Sequence, residues 1–282
     1  MIMSEVIHDI IEAASREDEN EKRKYLGMSS IGDKCSRRLW YQFRGFTPSR
    51  SDGQTKMIFD LGNRIEDAII KWLMSAGYHI NERQKEFVAL NGFFCGHWDG
   101  CISGLSLGIT PKVLEIKSAN SKRFTAIKEQ GIAEITPTYY AQVQCYMGYS
   151  GLDETYFIVM NKNNCELYDE IIKFDRDMFI KLEEKAKSII DVNIEPTKEE
   201  NEECEYCQYR MLCNSESGYV QTTKTCGTCH YCSTSYGGFY CKNRSCTIKN
   251  WGLFCESWVY KFSPQFSRKE IDLKYTADLV PF

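Results

Sequence analysis

Residues 113–118 read Val-Leu-Glu-Ile-Lys-Ser, the most informative short stretch of this 282-residue chain. Its apolar and β-branched residues predict a strand, on which successive side chains point to opposite faces. Glu115 and Lys117 therefore share one face of the strand, while Leu114 and Ile116 face the core. An ordinary exposed Glu–Lys pair on an edge strand has the same sequence pattern. The surrounding sequence must therefore decide between a functional site and an ordinary surface pair.

A second acid precedes this strand in Gly96-His97-Trp98-Asp99-Gly100, within a strand-rich region. If Asp99 and Glu115 lie on adjacent strands, they can hold Mg²⁺ or Mn²⁺, since hard cations prefer carboxylate oxygens. Lys117 then lies beside the water that the metal activates. His97 is close enough in sequence to touch this site, but a structural histidine is the commoner case.

Two predicted helices add further polar residues. Apolar residues at intervals of three and four over 57–77 predict an amphipathic helix, and Glu66 lies on it. A second helix is predicted to begin at Pro137 and to run to about residue 149. Gln142 and Tyr146, at i and i+4, share one face of that helix.

The order of these motifs resembles the PD-(D/E)XK nuclease superfamily, and within it the RecB-like exonucleases. In chain order, residues 57–160 contain Gly-x-x-x-acid, Asp, Glu-x-Lys and Gln-x-x-x-Tyr. The resemblance implies that the metal is held by Glu66, Asp99, Glu115 and Ile116. It also implies that the catalytic residues are Asp99, Glu115, Lys117, Gln142 and Tyr146. Of these, Gln142 and Tyr146 are expected to hold the DNA backbone. RecB-like enzymes usually have His where this chain has Glu66, a substitution of ligand that still suits Mg²⁺.

Cysteine is the anomaly of the composition: there are 14, of which nine lie between Cys204 and Cys255. The N-terminus shows no basic leader followed by an apolar stretch, so we expect a reducing, cytoplasmic compartment. Clustered cysteines there more often hold metal than form disulfides. Four isolated cysteines are expected to be core residues: Cys95, Cys101, Cys145 and Cys165.

Cys204, Cys207 and Cys213 supply three thiolates within ten residues, and Cys35 is the candidate for the fourth ligand. One cysteine before the nuclease core and three after it resembles the iron–sulfur RecB-like nucleases, namely AddB-type subunits and CRISPR-associated exonucleases. In those proteins four cysteines hold a [4Fe–4S] cluster, which is therefore the expected cofactor. Zinc in the same ligands is the alternative.

Six cysteines after residue 225 predict a separate zinc-ribbon-like module that binds Zn²⁺. The preferred ligands are Cys226, Cys229, Cys241 and Cys255, and Cys246 is the close rival. His230 and Cys232 also remain open as ligands, because one Zn²⁺ takes four.

Basic residues concentrate in one part of a chain whose net charge is −4: residues 22–56 carry nine Lys or Arg against two Asp. Five aromatic residues are interleaved with them, at Tyr25, Trp40, Tyr41, Phe43 and Phe46. This mixture favours a nucleic-acid surface, and a solvated basic face is the alternative. No apolar run approaches the ~18 residues that span a bilayer, so no membrane contact is expected.

These patterns predict an α/β fold with three parts. The first part is an acidic N-terminal helix over 1–21. The second is a nuclease domain over 22–218, with a central mixed sheet flanked by helices and an iron–sulfur clasp. The third is a cysteine-rich zinc-ribbon-like module with a tail over 219–282. The resemblance implies a Mg²⁺- or Mn²⁺-dependent exonuclease acting on single-stranded or end-processed DNA in recombination, repair or DNA processing, with a recombination or replication protein as partner. The alternatives are a structure-specific endonuclease or junction resolvase of the same superfamily, and a non-catalytic DNA-binding scaffold.

Overall fold

The computed structural model describes residues 5–16, 23–46, 53–199, 202–214, 224–236, 238–249 and 255–259. The helices are α1 (Glu5–Arg16), α2 (Ser36–Phe43), α3 (Gly53–Ser75), α4 (Ser121–Gln130), α5 (Ile132–Ile135), α6 (Pro137–Ser150), α7 (Arg176–Asp191) and α8 (Arg210–Asn214). The strands are β1 (Leu26–Gly27), β2 (His79–Asn81), β3 (Glu86–Ala89), β4 (Phe94–His97), β5 (Gly100–Ser103), β6 (Lys112–Ala119), β7 (Glu154–Asn161), β8 (Leu167–Lys173), β9 (Cys232–Ser235), β10 (Gly238–Cys241) and β11 (Cys246–Thr247). No helix within these ranges has the length and apolarity needed to cross a bilayer.

The main sheet has five strands in the order β2-β5-β6-β7-β8. Strands β6 and β7 are parallel, and the other neighbours are antiparallel. A parallel pair needs a crossover connection, which helices α4 to α6 supply here. The predicted α/β fold with a central mixed sheet flanked by helices is confirmed, and the strand that carries Glu115 lies in the middle of that sheet.

Both faces of β6 are buried, and the predicted alternation separates them. Leu114 and Ile116 pack with Ile69 and Ile70 of α3 on one face. Val113 belongs to the larger core on the other face, which α6 covers. Glu115 shares that second face, so its carboxylate lies beneath a helix rather than on an exposed sheet.

A second sheet has the order β1-β4-β3, and the strand-rich sequence over 93–103 divides between it and the main sheet. The chain leaves this sheet after β4 and enters the main sheet at β5. The break falls at Trp98 and Asp99, where the buried indole N–H of Trp98 donates to the carbonyl of Glu82 at 2.7 Å. The break places Asp99 immediately before the main sheet.

Helix α3 confirms the predicted amphipathic segment, but part of its apolar stripe is exposed. Ile69 and Ile70 are buried, whereas Ile58, Leu61 and Trp72 are exposed. Helix α1, within the predicted acidic segment, packs along α3. Periodicity therefore locates the helix correctly and overestimates how much of it the sheet covers.

Four of the five aromatic residues of the basic segment are core residues, and the fifth, Tyr25, is half-buried. Trp40, Tyr41, Phe43 and Phe46 are at most 2% exposed, so the prediction that they contribute to a nucleic-acid surface is wrong. Arg44 is buried with them, and its guanidinium donates to the carbonyl of Val192 at 2.7 Å. The apolar face of α2 has packed inward against the region that follows α7.

The C-terminal strands β9 to β11 pack on the same core. The ring of Phe239 lies 5.5 Å from that of Phe43 and 4.9 Å from that of Phe93, measured between centroids. The hydroxyl of Thr234 donates to the carbonyl of Ile190 at 3.3 Å. Residues of the predicted module thus share a hydrophobic core with the α/β part of the chain, while the boundary after residue 218 stays a prediction.

Two glycines predict opposite responses to the same substitution. A Cβ at Gly32 would lie 2.6 Å from the Cα of Thr138 and 2.8 Å from the Cβ of Ala141, whereas a Cβ at Gly62 meets nothing within 4 Å. We expect Gly32→Ala to destabilise the fold because backbone must move, and Gly62→Ala to stabilise α3 by about 0.5–1 kcal/mol. Chemical denaturation measures both; an unchanged midpoint for Gly32→Ala would contradict this close contact.

Candidate active site

The carboxylate of Glu115 is fully buried on the central strand. Its Oε1 accepts a hydrogen bond from the amide of Gln142 at 2.9 Å and a shorter one from the ammonium of Lys117. Its Oε2 is buried and accepts no hydrogen bond within the described part of the chain. A buried carboxylate oxygen without a partner is costly, so this atom marks a place where a ligand is expected.

Asp99 lies next to Glu115 because the chain enters β5 directly after it. Gly100 pairs with Leu114 in the antiparallel register of β5 and β6. The Oδ2 of the buried Asp99 accepts the backbone N–H of Ile116 at 2.7 Å. Asp99 therefore lies immediately before the strand that pairs with β6, and Ile116 contributes a backbone donor that orients it.

Glu66 faces the same site from α3. It is half-buried, and the amide of Gln84 donates to its Oε1 at 2.8 Å. Burial raises the pKa of Glu66, and the neighbouring charge of Asp99 raises it further. Glu66 therefore lies close enough to Asp99 for the two charges to interact.

The pKa values of the site reflect burial of carboxylates close to one another. Burial raises the pKa of Glu115 to about 8, with a further contribution from Asp99, while Lys117 opposes the rise. Burial also raises the pKa of Asp99, against the opposing effects of Lys117 and the Ile116 N–H. Burial disfavours the charge on Lys117, but Glu115 and Asp99 outweigh it and raise the pKa of Lys117. A cation bound here would relieve the repulsion among these acids.

Gln142 and Tyr146 lie in the site but are not exposed to a substrate. The sequence predicts that they hold the DNA backbone; in the structure both side chains are buried. The hydroxyl of Tyr146 donates to the carbonyl of His97 at 2.6 Å, and the amide of Gln142 donates to that hydroxyl at 3.0 Å and to Glu115. Their contacts orient the Glu115 carboxylate, so the prediction of a direct DNA contact is wrong for this geometry.

Sequence reasoning missed two residues beside Lys117. The ammonium of Lys117 lies 5.7 Å from the ring centroid of Tyr139, and the guanidinium of Arg123 lies 5.3 Å from the same centroid. The spacing of Tyr139, Gln142 and Tyr146, at i, i+3 and i+7, places all three on one stripe of α6. That stripe is a signal from which Tyr139 could have been found.

The four cysteines predicted to form the clasp come from chain segments that touch. Cys35 caps α2, and its sulfur accepts the backbone N–H of Arg38 at 3.4 Å. The guanidinium of Arg38 pairs with Glu203 at 2.6 Å, one residue before Cys204. The guanidinium of Arg37 donates to the sulfur of Cys213 at 3.6 Å. The N-terminus of α2 therefore contacts the segment that carries the other three cysteines.

The C-terminal cysteines also share one neighbourhood. Cys241 pairs across the strands with Cys232 and with Cys246. Burial raises the pKa of Cys226 to about 11, and four further thiols add to the rise, those of Cys232, Cys229, Cys241 and Cys255. Cys246, the rival ligand, is exposed. Cys165 is exposed as well, in the turn between β7 and β8, so the expectation that it is a core residue is wrong.

Among the described residues, no three or more His, Cys, Asp or Glu side chains converge in an arrangement that could hold a metal ion. The acids and the cysteines are thus neighbours without the tight convergence of a ligand shell. Repulsion between uncompensated carboxylates is expected to keep such ligands apart until a cation binds.

The raised pKa of Glu115 predicts a pH-dependent stability difference. The folded, metal-free protein holds this proton more tightly than the unfolded chain, so the stabilisation is present below about pH 4.5 and is lost as pH rises through about 8. The Glu115→Gln variant has no such proton to lose. The melting temperature of the variant minus that of wild type should therefore increase from pH 5 to pH 9, by at least about 3 °C.

Thermal unfolding in EDTA at several pH values measures this difference. The control is Glu184→Gln on α7, whose side chain is exposed, and which should give a nearly constant difference. A Glu115→Gln difference as flat as the control would contradict the buried carboxylate.

Comparison with known proteins gives one family match. The model of the YqaJ-like viral recombinase domain matches residues 28–153. That segment contains every predicted residue of the carboxylate site, namely Glu66, Asp99, Glu115, Ile116, Lys117, Gln142 and Tyr146. The search of curated proteins found no significant match.

Among solved structures, the chain is similar to a protein called SSO0001, with 14% identity, a TM-score of 0.46, and coverage of 76% of this chain and 98% of that one. An alkaline exonuclease, LHK-Exo from Laribacter hongkongensis, gives 16% identity, a TM-score of 0.43, and coverage of 64% and 90%. A phage-related exonuclease from Haemophilus somnus gives 16% identity, a TM-score of 0.36, and coverage of 47% and 68%. At TM-scores below 0.5 these similarities carry no argument about function.

Among the comparisons, the family match is therefore the one that bears on function, and it agrees with the order of motifs in the sequence. It supports the predicted function of a metal-dependent DNA exonuclease in recombination. Residues 28–153 are similar to the YqaJ-like viral recombinase domain, and this segment carries the whole carboxylate site.

Proposed function

We propose that the site around Glu115 hydrolyses DNA phosphodiester bonds with the help of Mg²⁺ or Mn²⁺, most simply as an exonuclease. The observation that carries this proposal is the buried Oε2 of Glu115, which has no hydrogen-bond partner among the described residues and lies beside a second buried acid, Asp99. Stability gains nothing from such an oxygen. A hard divalent cation supplies the missing partner and balances the clustered negative charge.

The residues present fit such a cation. Asp99 and Glu115 would hold it, with Glu66 as a third acid from α3. When bound, the ion would supply a polarised phosphoryl oxygen and an acidified water. All three candidate ligands are oxygen donors, as Mg²⁺ and Mn²⁺ prefer.

The chain's own groups supply the rest of the chemistry. Lys117 keeps its proton, because the two acids raise its pKa; a charged ammonium at this place orients the attacking water and stabilises the charge that develops on the phosphate. Gln142 and Tyr146 hold Glu115 in one orientation through hydrogen bonds that end on the His97 carbonyl. The burial of this network excludes bulk water from one side of the reacting group.

Recombination is the context that the name of the matched family suggests, and a recombination or replication protein is the partner we propose. Single-stranded or end-processed DNA is the proposed substrate, and the cytoplasm is the proposed location. Cleavage inside a strand or at a junction would favour the endonuclease alternative, and DNA binding without cleavage would favour the scaffold alternative.

The test is cleavage of end-labelled single-stranded and duplex DNA with Mg²⁺ or Mn²⁺. Asp99→Asn, Glu115→Gln and Lys117→Met should each reduce the rate by ~10²-fold or more, because each removes a group that acts in the transition state. Glu66→Ala should need more Mn²⁺ for the same rate, and Glu66→His should recover part of it.

Glu86→Gln is the matched control, since it removes a carboxylate from an exposed position of a neighbouring strand. Binding of labelled DNA in EDTA shows whether the variants remain folded and competent to bind. Wild-type rates in both Glu115→Gln and Lys117→Met would overturn the assignment of the site.

We also propose the finer features implied by the two cysteine groups. Cys35, Cys204, Cys207 and Cys213 would hold a [4Fe–4S] cluster or, as the alternative, zinc. Contacts between Arg38 and Glu203 and between Arg37 and Cys213 support the closeness that such a clasp needs. Zn²⁺ would be held by four cysteines of the C-terminal group, and the preferred set is Cys226, Cys229, Cys241 and Cys255. Of the alternative ligands, Cys232 is a stronger candidate than Cys246, which is exposed.

Metal counting tests these assignments. Anaerobically purified protein should absorb visible light, and Cys35→Ser or Cys207→Ser should lose iron and lower the melting temperature, because the clasp joins distant segments. Cys226→Ser should lose zinc and keep iron. Cys165→Ser, at an exposed turn, is the control; a colourless preparation that contains zinc alone would contradict the cluster.

A further inference from the structure

Arg123 and Tyr139 stand at the open side of the site. Exposure increases outward from Glu115, which is fully buried, to the side chain of Lys117, which is 24% exposed, to the half-buried Tyr139 and the exposed Arg123. The Tyr139 ring contacts both cations, at 5.7 Å from the Lys117 ammonium and 5.3 Å from the Arg123 guanidinium. Solvent, and therefore substrate, reaches Lys117 from this side.

The backbone around Arg123 is held rigidly. The side chain of Asn120 caps α4 by accepting the N–H of Arg123 at 2.9 Å. Phe124 and Ile127 are buried and anchor the helix, so Arg123 leaves α4 on the solvent side. The short link from β6 through Asn120 ties its position to the strand that carries Glu115.

Tyr139 is equally well supported. It lies in the first turn of α6, on the stripe that also carries Gln142 and Tyr146. Its ring stacks on that of the buried Phe157, with centroids 6.2 Å apart and an angle of 26°. Phe157 pairs with Glu115 in the register of β6 and β7. The ring that contacts both cations therefore packs on β7, against the cross-strand neighbour of Glu115.

The charges are arranged for an anion. Lys117 is paired with Glu115, whereas Arg123 forms no ion pair among the described residues. Two like charges placed around one ring repel each other, and an exposed cation–π contact contributes only about 0.5–1 kcal/mol. A phosphodiester between them or beside them would be favourable to both, and the planar guanidinium suits phosphate well.

We propose that Arg123 binds a backbone phosphate of the DNA strand next to the scissile phosphate, and that Tyr139 is a positioning residue that sets Arg123 and Lys117 at a fixed separation. This proposal rests on the proposed nuclease function. It assigns to Arg123 the direct contact with the DNA backbone that the buried Gln142 and Tyr146 do not make.

The first test is binding of a fluorescein-labelled oligonucleotide, single-stranded or duplex, to full-length protein in EDTA over a range of salt concentrations. Arg123→Ala should weaken binding about tenfold, because a charge-assisted hydrogen bond is lost. The slope of log affinity against log salt should become shallower by about 0.7 on single strands or 0.9 on duplex, as expected for one lost phosphate contact. Arg123→Lys should keep the slope and recover part of the affinity.

Lys122→Ala is the matched control, since it removes a neighbouring exposed charge on the same helix that does not contact the Tyr139 ring. Equal affinities and slopes for Arg123→Ala and Lys122→Ala would overturn the proposal. Tyr139→Phe should behave as wild type because it keeps the ring, whereas Tyr139→Leu should lose affinity. Equal binding by Tyr139→Leu and Tyr139→Phe would reject the positioning role.

Cleavage kinetics separate this proposal from the proposed function. In Mg²⁺ or Mn²⁺, Arg123→Ala should raise KM about tenfold with kcat changed less than about threefold, because the contact is made before and during the reaction. If wild type binds DNA but does not cleave it, the nuclease proposal fails and the binding series still decides the role of Arg123. If wild type does not bind DNA, both fail.

Discussion

Burial of the Glu115 carboxylate in the middle strand of the sheet is the constraint on which the rest of the site depends. A carboxylate removed from water needs compensation, and the side chains that donate hydrogen bonds around it supply a part of this compensation. Lys117 pairs with one oxygen, Gln142 donates to the same oxygen, and Tyr146 fixes Gln142 against the backbone of β4. The second oxygen is left for a ligand, so the compensation is incomplete in the way a metal site requires.

The same constraint explains the layout of the elements around it. Strand β6 must be covered on both faces, by α3 on one and by α6 on the other, and each helix also contributes a polar residue to the site. The break after β4 brings Asp99 to the edge of β6, where the carboxylate of Asp99 accepts the backbone N–H of Ile116. A close approach at Gly96, where a Cβ would lie 2.9 Å from the Tyr146 ring, lets that ring pass beneath the strand. Packing and chemistry therefore use the same residues.

At the periphery, distant parts of the chain share one core. The aromatic face of α2 packs with Tyr209 before α8 and with Phe239 of β10. The two cysteine-bearing segments thus join the main α/β core through apolar contacts as well as through any metal they hold. Loss of a metal would loosen this region, but its apolar packing would remain. The stability of the region therefore depends on metal content only in part.

Local pattern was sufficient for much of this protein, because helix and strand periodicity are properties of neighbouring residues. The strand that carries Glu115, the helix that contains Glu66 and the helix that begins at Pro137 could all be predicted that way. The site's acids followed from their order along the chain. Burial could not be predicted so well: the aromatic residues of α2 read as a surface, and Ile58 and Leu61 of α3 read as core. A periodic stripe shows which side chains point together and not what lies opposite them.

Long-range packing supplied the remainder. Only the folded chain shows that residues 93–103 divide between two sheets, that Gln142 and Tyr146 turn inward to Glu115, and that Arg123 meets Lys117 across the ring of Tyr139. These arrangements depend on contacts between segments far apart in sequence, and the free energy of such contacts is set by three-dimensional neighbours. Residue type and spacing thus specify which groups can do chemistry, whereas packing specifies which of them reach solvent and which serve only to hold the others.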